Sequence, residues 1–421
     1  MVKLEKLKTI TLNSFYKGFP LAAEGQSIEE FLMSKPNLFT AGFQLPMAVL
    51  GESALKNNLV RMAQFCQEVD ASLAPHVKTT MAPQIAKWQM DHGAWALTVA
   101  NFSQARVFLD YGFNRLIIDN EIVDADSIRA IAQVNMKPGH EIIFYVDSHT
   151  GLDIIQQALL GMNDARINLL IEIGMVGGRG GVRDNSEIEA LAQEVALDVR
   201  LVLLGVSGFE GSVPGADRSV EGVTKVRAFC QKIVAAAKIV RPFVAAEEII
   251  ISGGGSAYFE IVAEEFHKFG DDAHVLLRSG GYITHDHGYY AGIYPFTQEP
   301  VGRRFSPVIE LWARVLTQPE PGLAILNLGK RDVGNDFDEP FPSKRFTNKF
   351  VTMSGTIDHL NDQHGYLIFG NDQRIAVGDA VGLGISHPCT TFDKWRLIPL
   401  VNDDYEVVDG IHTFFRFKST N

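Results

Sequence analysis

The feature that most constrains the fold is an alternation of short apolar runs and amphipathic stretches between about residues 70 and 285. Runs such as IIFYV and LVLLGV are continuously apolar, which is typical of strands buried on both faces of a parallel sheet. The stretches between them have the length and spacing of helices, and such alternation indicates βαβ units. The candidate strands span residues 70–77, 94–101, 114–120, 141–147, 167–174, 199–210, 247–254 and 273–283.

The number of these units predicts a TIM-type (β/α)8 barrel, because eight strand–helix units over roughly 200–250 residues match that fold. An open doubly wound sheet gives the same alternation, and only the count favours the barrel. After residue 295 short β-type runs are interrupted by Gly, Pro, Asn and Asp, which predicts a C-terminal, mainly antiparallel β domain. We therefore expect an N-terminal segment (1–40) that is a candidate to pack on the β domain, a barrel (41–295) and the β domain (296–421).

The composition of the 421-residue chain excludes several classes of function. The net charge of −12, without a basic block, argues against a nucleic-acid partner. Three cysteines, Cys66, Cys230 and Cys389, are too few for a disulfide framework, and no apolar run reaches the ~18 residues of a membrane span. The N-terminus also has no apolar core of signal-peptide length. These features favour a cytoplasmic protein without a nucleic-acid or membrane partner.

Residues at the C-terminal ends of the strands are the candidates for chemistry, because barrel active sites lie there. The first strand ends in His76 and Lys78, within LAPHVKTTMAP. Most lysines are solvated surface charges, so Lys78 is of interest only because of its position. The fifth strand leads into GMVGGRGGVR, which contains Arg179, and the eighth leads into RSGGYITHDHGYY, which contains Tyr282.

A glycine-rich segment, ISGGGS, follows the seventh strand and precedes a predicted helix. Backbone N–H groups in such a loop bind phosphate, and barrels often bind phosphate after strands 7 and 8. A flexible turn without a ligand is the alternative. The candidate phosphate-binding residues are Ser252, Gly254, Gly255 and Ser256.

A lysine and a phosphate loop at one barrel mouth together meet the requirements of pyridoxal phosphate, which forms a Schiff base with lysine. Lys78 is then the Schiff-base residue and the candidate base at the substrate α-carbon. Arg179 would hydrogen-bond the polar edge of the cofactor ring, and Tyr282 would contact the ring or the phosphate.

A candidate metal pair, His387 and Cys389, occurs in the segment ISHPCTTFD. Residues i and i+2 of an extended segment point to the same side, and an imidazole beside a thiolate suits Zn²⁺. The pair supplies half of a four-ligand site, so water or substrate would complete it, as at a catalytic zinc. A packed cysteine beside an exposed histidine is the alternative interpretation.

Several motifs, in order along nearly the whole chain, resemble the alanine-racemase-like barrel superfamily of D-threonine aldolases and D-serine dehydratases. Pro75, His76, Lys78 and Thr79 match the Pro-His-x-Lys-Thr motif of its cofactor lysine. The segments EIGMVGGRGGVR, ISGGGS, LRSGGYITHDHGYY and SHPCTTFD resemble its later motifs. The resemblance implies that His76 belongs to the cofactor site and that the His-x-Cys pair binds zinc, as in the D-serine dehydratase branch. It also implies a homodimer in which the β domain of one chain faces the barrel mouth of the other.

Departures from these motifs leave the substrate open. Ala74 precedes Pro-His where arginine is frequent, Phe209 replaces a frequent tyrosine, and THDHG (284–288) is an insert of undetermined role. We expect a pyridoxal-phosphate-dependent lyase that converts a D-3-hydroxy amino acid, such as D-serine or D-threonine, to a 2-oxo acid and ammonia. The alternatives are an aldolase that yields glycine and an aldehyde, and a non-catalytic cofactor-binding protein.

Overall fold

Two sheets organise residues 2–415, which are the residues that the computed structural model describes. Residue 1 and residues 416–421, at the ends of the predicted N-terminal segment and β domain, lie outside them. Strand β1 (Met47–Gly51) belongs to the second sheet. The strands of the first sheet are β2 (Ser72–Leu73), β3 (Leu97–Val99), β4 (Arg115–Glu121), β5 (Glu141–Val146), β6 (Ile167–Ile173), β7 (Leu201–Gly208), β8 (Ile249–Gly253) and β9 (Ala273–Leu277).

The first sheet is a closed parallel barrel. Its strands pair in chain order from β3 to β9, and β9 pairs with β2. The ring closes between β2 and β3, where the Trp95 N–H donates to Leu73 O at 2.7 Å and the Val77 N–H donates to Thr98 O at 2.8 Å. Every residue of β6 is buried, as its continuous apolar pattern predicts. The predicted barrel is confirmed, and the open doubly wound sheet is excluded.

Helices alternate with the strands around the outside of the barrel. The side chains of Asn101, Asp124, Ser148, Asp184 and Ser219 cap the helices that follow them by accepting bonds from first-turn amides. Local sequence therefore fixes where these helices begin. The helices are α1 (Glu5–Lys8), α2 (Ile28–Leu32), α3 (Glu52–Glu68), α4 (Pro83–Asp91), α5 (Phe102–Asp110), α6 (Ala125–Asn135), α7 (His149–Ala158), α8 (Asn185–Leu197), α9 (Val220–Val240), α10 (Phe259–Phe266), α11 (Tyr289–Ile293) and α12 (Cys389–Phe392).

The second sheet is the predicted β domain. Its strands pair in the order β13-β12-β16-β10-β1-β17-β18, and β11, β15 and β14 extend it from β10. All of these pairings are antiparallel except the one between β1 and β17, so the mainly antiparallel prediction is confirmed. The strands after the barrel are β10 (Ile309–Glu320), β11 (Leu323–Leu326), β12 (Phe341–Phe346), β13 (Phe350–Thr352), β14 (Thr356–Leu360), β15 (Gly365–Ile368), β16 (Ala380–Gly384), β17 (Leu397–Val401) and β18 (Val407–His412).

The position of β1 corrects one predicted boundary. Met47 lies opposite Trp312 and Leu50 lies opposite Leu400, so β1 is an interior strand of the β-domain sheet. The barrel therefore begins near residue 52 rather than at residue 41, because β1 pairs with strands that occur more than 250 residues later. The N-terminal segment also packs on this sheet, where the Leu38 N–H donates to Tyr405 O at 3.0 Å.

The longest of the described helices, α9, is amphipathic and includes Glu221, Lys225 and Arg227. Within residues 2–415, no helix combines the length and the apolar character that crossing a bilayer requires.

Candidate active site

The predicted cofactor lysine lies in a tight turn directly after the first barrel strand. Val77 and Thr79 are buried on either side of it, whereas Lys78 is exposed. The Val77 N–H bonds to Thr98 O, and the Lys78 N–H approaches His76 Nδ1 at 3.5 Å. The turn is thus anchored to β3, with Lys78 at the C-terminal mouth of the barrel.

His76 belongs to a buried charge network below this lysine. Its Nε2 lies 3.5 Å from Asp119 Oδ2, and Asp119 Oδ1 lies 3.3 Å from Arg278 Nε. Burial lowers the pKa of His76 to about 3, and the positive charge of Lys78 acts in the same direction. Although burial alone would raise the pKa of Asp119, the Arg278 guanidinium holds it below its ordinary value. His76 is therefore neutral, between a carboxylate and the lysine turn.

Ser252 lies within the same network rather than at the mouth. Its side chain is fully buried, and its hydroxyl accepts a 2.8 Å bond from Arg278 Nη1 and donates to Leu276 O at 3.1 Å. Arg278 also donates to Ser207 Oγ, and this hydroxyl donates to the Tyr145 hydroxyl at 2.9 Å. The Ser252 hydroxyl is thus engaged inside the barrel, and its predicted contact with a phosphate remains a prediction.

Two backbone amides of the glycine loop after β8 already donate to a carboxylate within the chain. The Gly254 N–H donates to Glu210 Oε2 at 3.1 Å, and the Gly255 N–H donates to Glu210 Oε1 at 2.5 Å. Glu210 is 1% exposed, and burial raises its pKa, while the loop amides act in the opposite direction. Gly254 has φ +83°, a left-handed conformation that favours glycine. The two amides predicted to bind phosphate are therefore bonded to a carboxylate.

Ser256 and the amides beside it face a different set of partners. The Ser256 hydroxyl accepts a 2.9 Å bond from the Gly281 N–H and is hydrogen-bonded to Tyr290. In the part of the chain that the structure describes, no acceptor bonds the amides of Ser256 and Ala257, which lie in the turn before Tyr258, the N-cap of α10. Unpaired amides before a helix are suited to an anion.

Arg179 lies on the opposite side of the mouth, beside three acids at the ends of β4, β5 and β6. Its Nη2 is 3.8 Å from Glu172 Oε1, and its guanidinium lies 5.4 Å from the Phe209 ring centroid. Oxygens of Glu121, Asp147 and Glu172 all lie within 4.8 Å of one another. Burial, reinforced by Glu121, raises the pKa of Glu172 to about 8. Glu172 is therefore largely protonated at neutral pH, and Arg179 remains 56% exposed.

Tyr282 is placed in the core, although the sequence predicted that it would contact the cofactor. Its hydroxyl accepts a 3.1 Å bond from Gln89 on α4, and its ring packs against Phe305. Burial raises the pKa of Tyr282 further above its ordinary range. A later tyrosine, Tyr290, instead lies between the glycine loop and the metal pair, with its ring centroid 5.8 Å from that of His387. Because both tyrosines belong to one motif, the sequence could not distinguish them.

The candidate metal pair approaches the lysine turn of its own chain. Cys389 Sγ lies 3.2 Å from Thr79 Oγ1, and Thr79 is the residue after Lys78. The segment is not extended as predicted, because Cys389 begins α12, yet His387 and Cys389 are hydrogen-bonded to each other. The pair and the lysine therefore open onto the same mouth.

Asp336, which the sequence interpretation did not include, holds the histidine of the pair. Its Oδ2 is 2.6 Å from His387 Nδ1, and its Oδ1 accepts a 2.8 Å bond from Thr390. Burial would lower the pKa of His387, but Cys389 and Asp336 outweigh it and raise the pKa to about 9. With Nδ1 bonded to a carboxylate, Nε2 is left for a metal, which is the common arrangement of metal-binding histidines. An imidazole and a thiol held in this way fit Zn²⁺.

The THDHG insert connects the barrel to the metal loop. The Asp286 carboxylate accepts bonds of 3.0–3.1 Å from the amides of Gly288, Tyr290 and Ala291, and so organises the start of α11. Two further backbone bonds join this loop to the β domain, from the His287 N–H to Ile385 O and from the Tyr289 N–H to Ser386 O. The insert thereby fixes the loop that leads into His387.

Comparisons with known proteins agree with this arrangement. The family model of the alanine racemase N-terminal domain matches residues 51–262, and that of a putative serine dehydratase domain matches residues 309–401. A D-threonine aldolase of Arthrobacter sp is 26% identical over 360 residues, which cover 85% of this chain and 89% of that protein. A 3-hydroxy-D-aspartate aldolase of Paracoccus denitrificans is 21% identical, with 82% and 87% covered.

Solved structures of similar proteins support the fold. A D-threonine aldolase from Filomicrobium marinum superimposes with a TM-score of 0.75 at 23% identity, over 89% of this chain and 96% of that one. A D-threo-3-hydroxyaspartate dehydratase from Delftia sp. HT23 gives a TM-score of 0.70 at 19% identity, over 90% and 100%. The barrel and the β domain thus occur together in these proteins, as they do here.

Proposed function

The chain belongs to the alanine racemase N-terminal domain family, and on this premise we propose that it is a pyridoxal-phosphate-dependent lyase of D-3-hydroxy amino acids. The proposed reaction eliminates water from the substrate, and the resulting enamine takes up water again to give a 2-oxo acid and ammonia. The observation that carries the proposal is the 3.2 Å contact between Thr79 and Cys389. It joins the lysine turn and the metal pair at one mouth, so that groups able to act at the α-carbon and at the 3-oxygen lie together.

The residues at the mouth fit the cofactor. Lys78 offers an exposed amine, the amides of Ser256 and Ala257 offer donors for a phosphate, and Arg179 offers an exposed guanidinium. Pyridoxal phosphate supplies an electron sink for the negative charge that forms at the substrate α-carbon. Lys78 would remove the α-proton, while neutral His76 below it adds no competing positive charge.

The metal pair would act on the 3-hydroxyl. A zinc ion held by His387 and Cys389 supplies a Lewis acid to the oxygen that leaves. Asp336 keeps the proton of His387 on Nδ1 and so directs Nε2 outward. The His-x-Cys donor set is the softer one and therefore favours zinc over a harder ion such as Mn²⁺.

The surroundings of His387 favour a neutral 3-substituent. Phe337 lies 5.0 Å from the His387 ring, and Tyr289 stacks on Phe337 at 4.1 Å. Both aromatic rings are partly exposed, at 51% and 36%. The charged side chains that the structure describes next to His387 are carboxylates, those of Asp336 and Asp286. The two partly exposed rings offer apolar contacts to a small neutral 3-substituent, and D-serine and D-threonine both have one.

An aldolase is the second candidate, because the curated relatives described above are aldolases. The same groups would then hold the 3-oxygen while its proton is removed and the bond between Cα and Cβ breaks. The products differ, since an aldolase releases glycine and an aldehyde.

Product analysis with D-serine and D-threonine tests both candidates. We expect pyruvate and ammonia from D-serine, with loss of turnover in Lys78→Ala, in Cys389→Ser and after chelation. Lys87→Ala is the matched control, because Lys87 lies on the outer helix α4 and pairs with Asp91. Glycine and acetaldehyde from D-threonine would establish the aldolase. A protein that binds the cofactor but turns over neither substrate would be the non-catalytic alternative, and one that binds no cofactor would refute the proposal.

We also propose that the protein is a cytoplasmic homodimer. Thr79 and Cys389 meet within one chain, so this contact does not require the exchange of β domains that the resemblance implies. Sedimentation analysis of the purified protein measures the assembly directly, and a monomer with full activity would contradict the dimer.

A further inference from the structure

The carboxylate of Glu210 lies beneath the glycine loop that the sequence assigns to phosphate. It accepts both loop amides, from Gly254 at 3.1 Å and from Gly255 at 2.5 Å. These are charge-assisted bonds to a carboxylate, which are stronger than neutral ones. Each carboxylate oxygen is used by one amide, so the loop is held at two adjacent points.

Glu210 has no room to leave this position. It is 1% exposed, and a Cβ atom on Gly255 would lie 2.9 Å from the Phe209 ring and 3.1 Å from Glu210 Oε1. The nearby Arg278 guanidinium stabilises its negative charge, in opposition to the effect of burial. A phosphate that approaches from the mouth therefore meets a loop whose inner face is already occupied.

The next donors along the chain face no such acceptor. Among the described residues, no group accepts a bond from the amides of Ser256 and Ala257, and the Ser256 hydroxyl is bonded to Tyr290 at the mouth. These amides lie in the turn that leads into α10, one and two residues before its N-cap Tyr258, and the dipole of α10 favours negative charge near its N-terminus.

We propose that Glu210 is a positioning residue that braces the glycine loop from inside, so that the cofactor phosphate binds the amides of Ser256 and Ala257 rather than those of Gly254 and Gly255. This inference rests on the proposed function, since it assumes that the cofactor binds at this mouth. It assigns to Glu210 no contact with the phosphate. Its effect is to fix the direction of the following amides.

The test compares pyridoxal phosphate with pyridoxal, which lacks the phosphate, in absorbance titrations of the apoprotein. In Glu210→Gln only one acceptor oxygen remains, and the new amide group opposes one loop N–H. We expect the affinity for pyridoxal phosphate to fall by about tenfold or more, since hydrogen bonds to charged groups are the stronger class. The affinity for pyridoxal should change less than about twofold, because Lys78 is untouched and the phosphate contacts alone are altered.

A matched control and a second variant make the result decisive. Glu265→Gln removes another carboxylate that is 1% exposed, on α10, where it pairs with Arg227, and should leave both affinities unchanged. Ala257→Pro deletes one proposed phosphate donor without altering Glu210, and should weaken only the binding of pyridoxal phosphate. If Glu210→Gln does not fold, Glu210→Asp, which keeps the charge but shortens the reach to both loop amides, provides the same comparison.

The outcomes separate this inference from the proposed function. If the wild-type protein binds neither compound, the proposed function fails. If it binds pyridoxal phosphate but Glu210→Gln keeps the wild-type preference for it over pyridoxal, the brace is refuted. Tighter binding of pyridoxal phosphate by Glu210→Gln would also refute it, because the carboxylate would then compete with the phosphate for the loop.

Discussion

Replacing Asp336 by asparagine tests the residue that orients His387 while both proposed metal ligands, His387 and Cys389, stay in place. The carboxylate spans two donors, His387 Nδ1 at 2.6 Å and Thr390 Oγ1 at 2.8 Å. Asparagine has nearly the same shape but only one acceptor oxygen, so it cannot accept from both. Where its NH₂ group faces His387, Nδ1 must become the acceptor. The imidazole proton then moves to Nε2, the nitrogen that the metal needs.

The size of the effect follows from this arrangement. A carboxylate that orients a metal-binding histidine without touching the metal typically contributes about 10- to 100-fold to metal affinity. The 2.6 Å separation indicates a strong, charge-assisted bond, so we expect the zinc dissociation constant of Asp336→Asn to rise within that range. Loss of His387 itself should be more damaging, because one of two protein ligands disappears.

Competition with a chromophoric chelator measures zinc affinity in the purified protein without reference to turnover. Asp338→Asn is the matched control, because Asp338 lies in the same segment but bonds Ser386 Oγ at 2.7 Å. Unchanged affinity in Asp336→Asn would refute the orienting role. A loss as large as that of His387→Ala would mean that Asp336 binds the metal directly.

Three further outcomes follow from the contacts of the mouth and its loops. Phe337→Arg should shift kcat/KM from D-threonine toward 3-hydroxy-D-aspartate, whereas the control Phe350→Arg, at a phenylalanine that is also partly exposed, should not. Equal shifts in both variants would contradict a neutral substrate side chain beside Phe337. The folded-state pKa of Glu172 is raised to about 8, so its protonation stabilises the fold at low pH and this contribution is lost as pH rises through 8. Because glutamine stays neutral, the melting temperature of Glu172→Gln minus that of the wild type should be higher at pH 9 than at pH 5. Asp286→Ala should lower the free energy of unfolding by about 1–3 kcal/mol, measured by urea denaturation, since three loop amides lose their acceptor.

The barrel was predictable because its information is local. Continuously apolar runs such as that of β6, separated by capped helices, reveal strands buried on both faces without knowledge of distant residues. β1 has the same apolar character but belongs to the other sheet, because its partners Trp312 and Leu400 lie far along the chain. Residues 47–51 therefore fell within the predicted barrel segment (41–295), and neither this strand nor its sheet was predicted.

The directions of the side chains at the strand ends were less predictable. Ser252 and Ser256 flank the same glycine triplet and are chemically identical, yet one bonds Arg278 inside the barrel and the other faces Tyr290 at the mouth. Which side each faces depends on where the strand ends and the loop turns, within one residue. Glu210 could have been recognised as a candidate, since a carboxylate at a strand end opposite a glycine loop needs donors when it is buried.

The connection between the lysine turn and the metal pair is the part that depends most on tertiary structure. Thr79 and Cys389 are separated by 310 residues, and no local pattern predicts their contact. Bonds on two sides of the mouth bring them together. The insert around Asp286 leaves the barrel after β9 and pairs His287 with Ile385, two residues before His387. On the other side, the Phe414 N–H of the β domain donates to Met81 O, three residues after Lys78, at 3.0 Å. The insert, whose role the sequence left undetermined, is therefore one of the structural links between the barrel and the metal loop. Shortening this loop should therefore weaken turnover more than zinc binding.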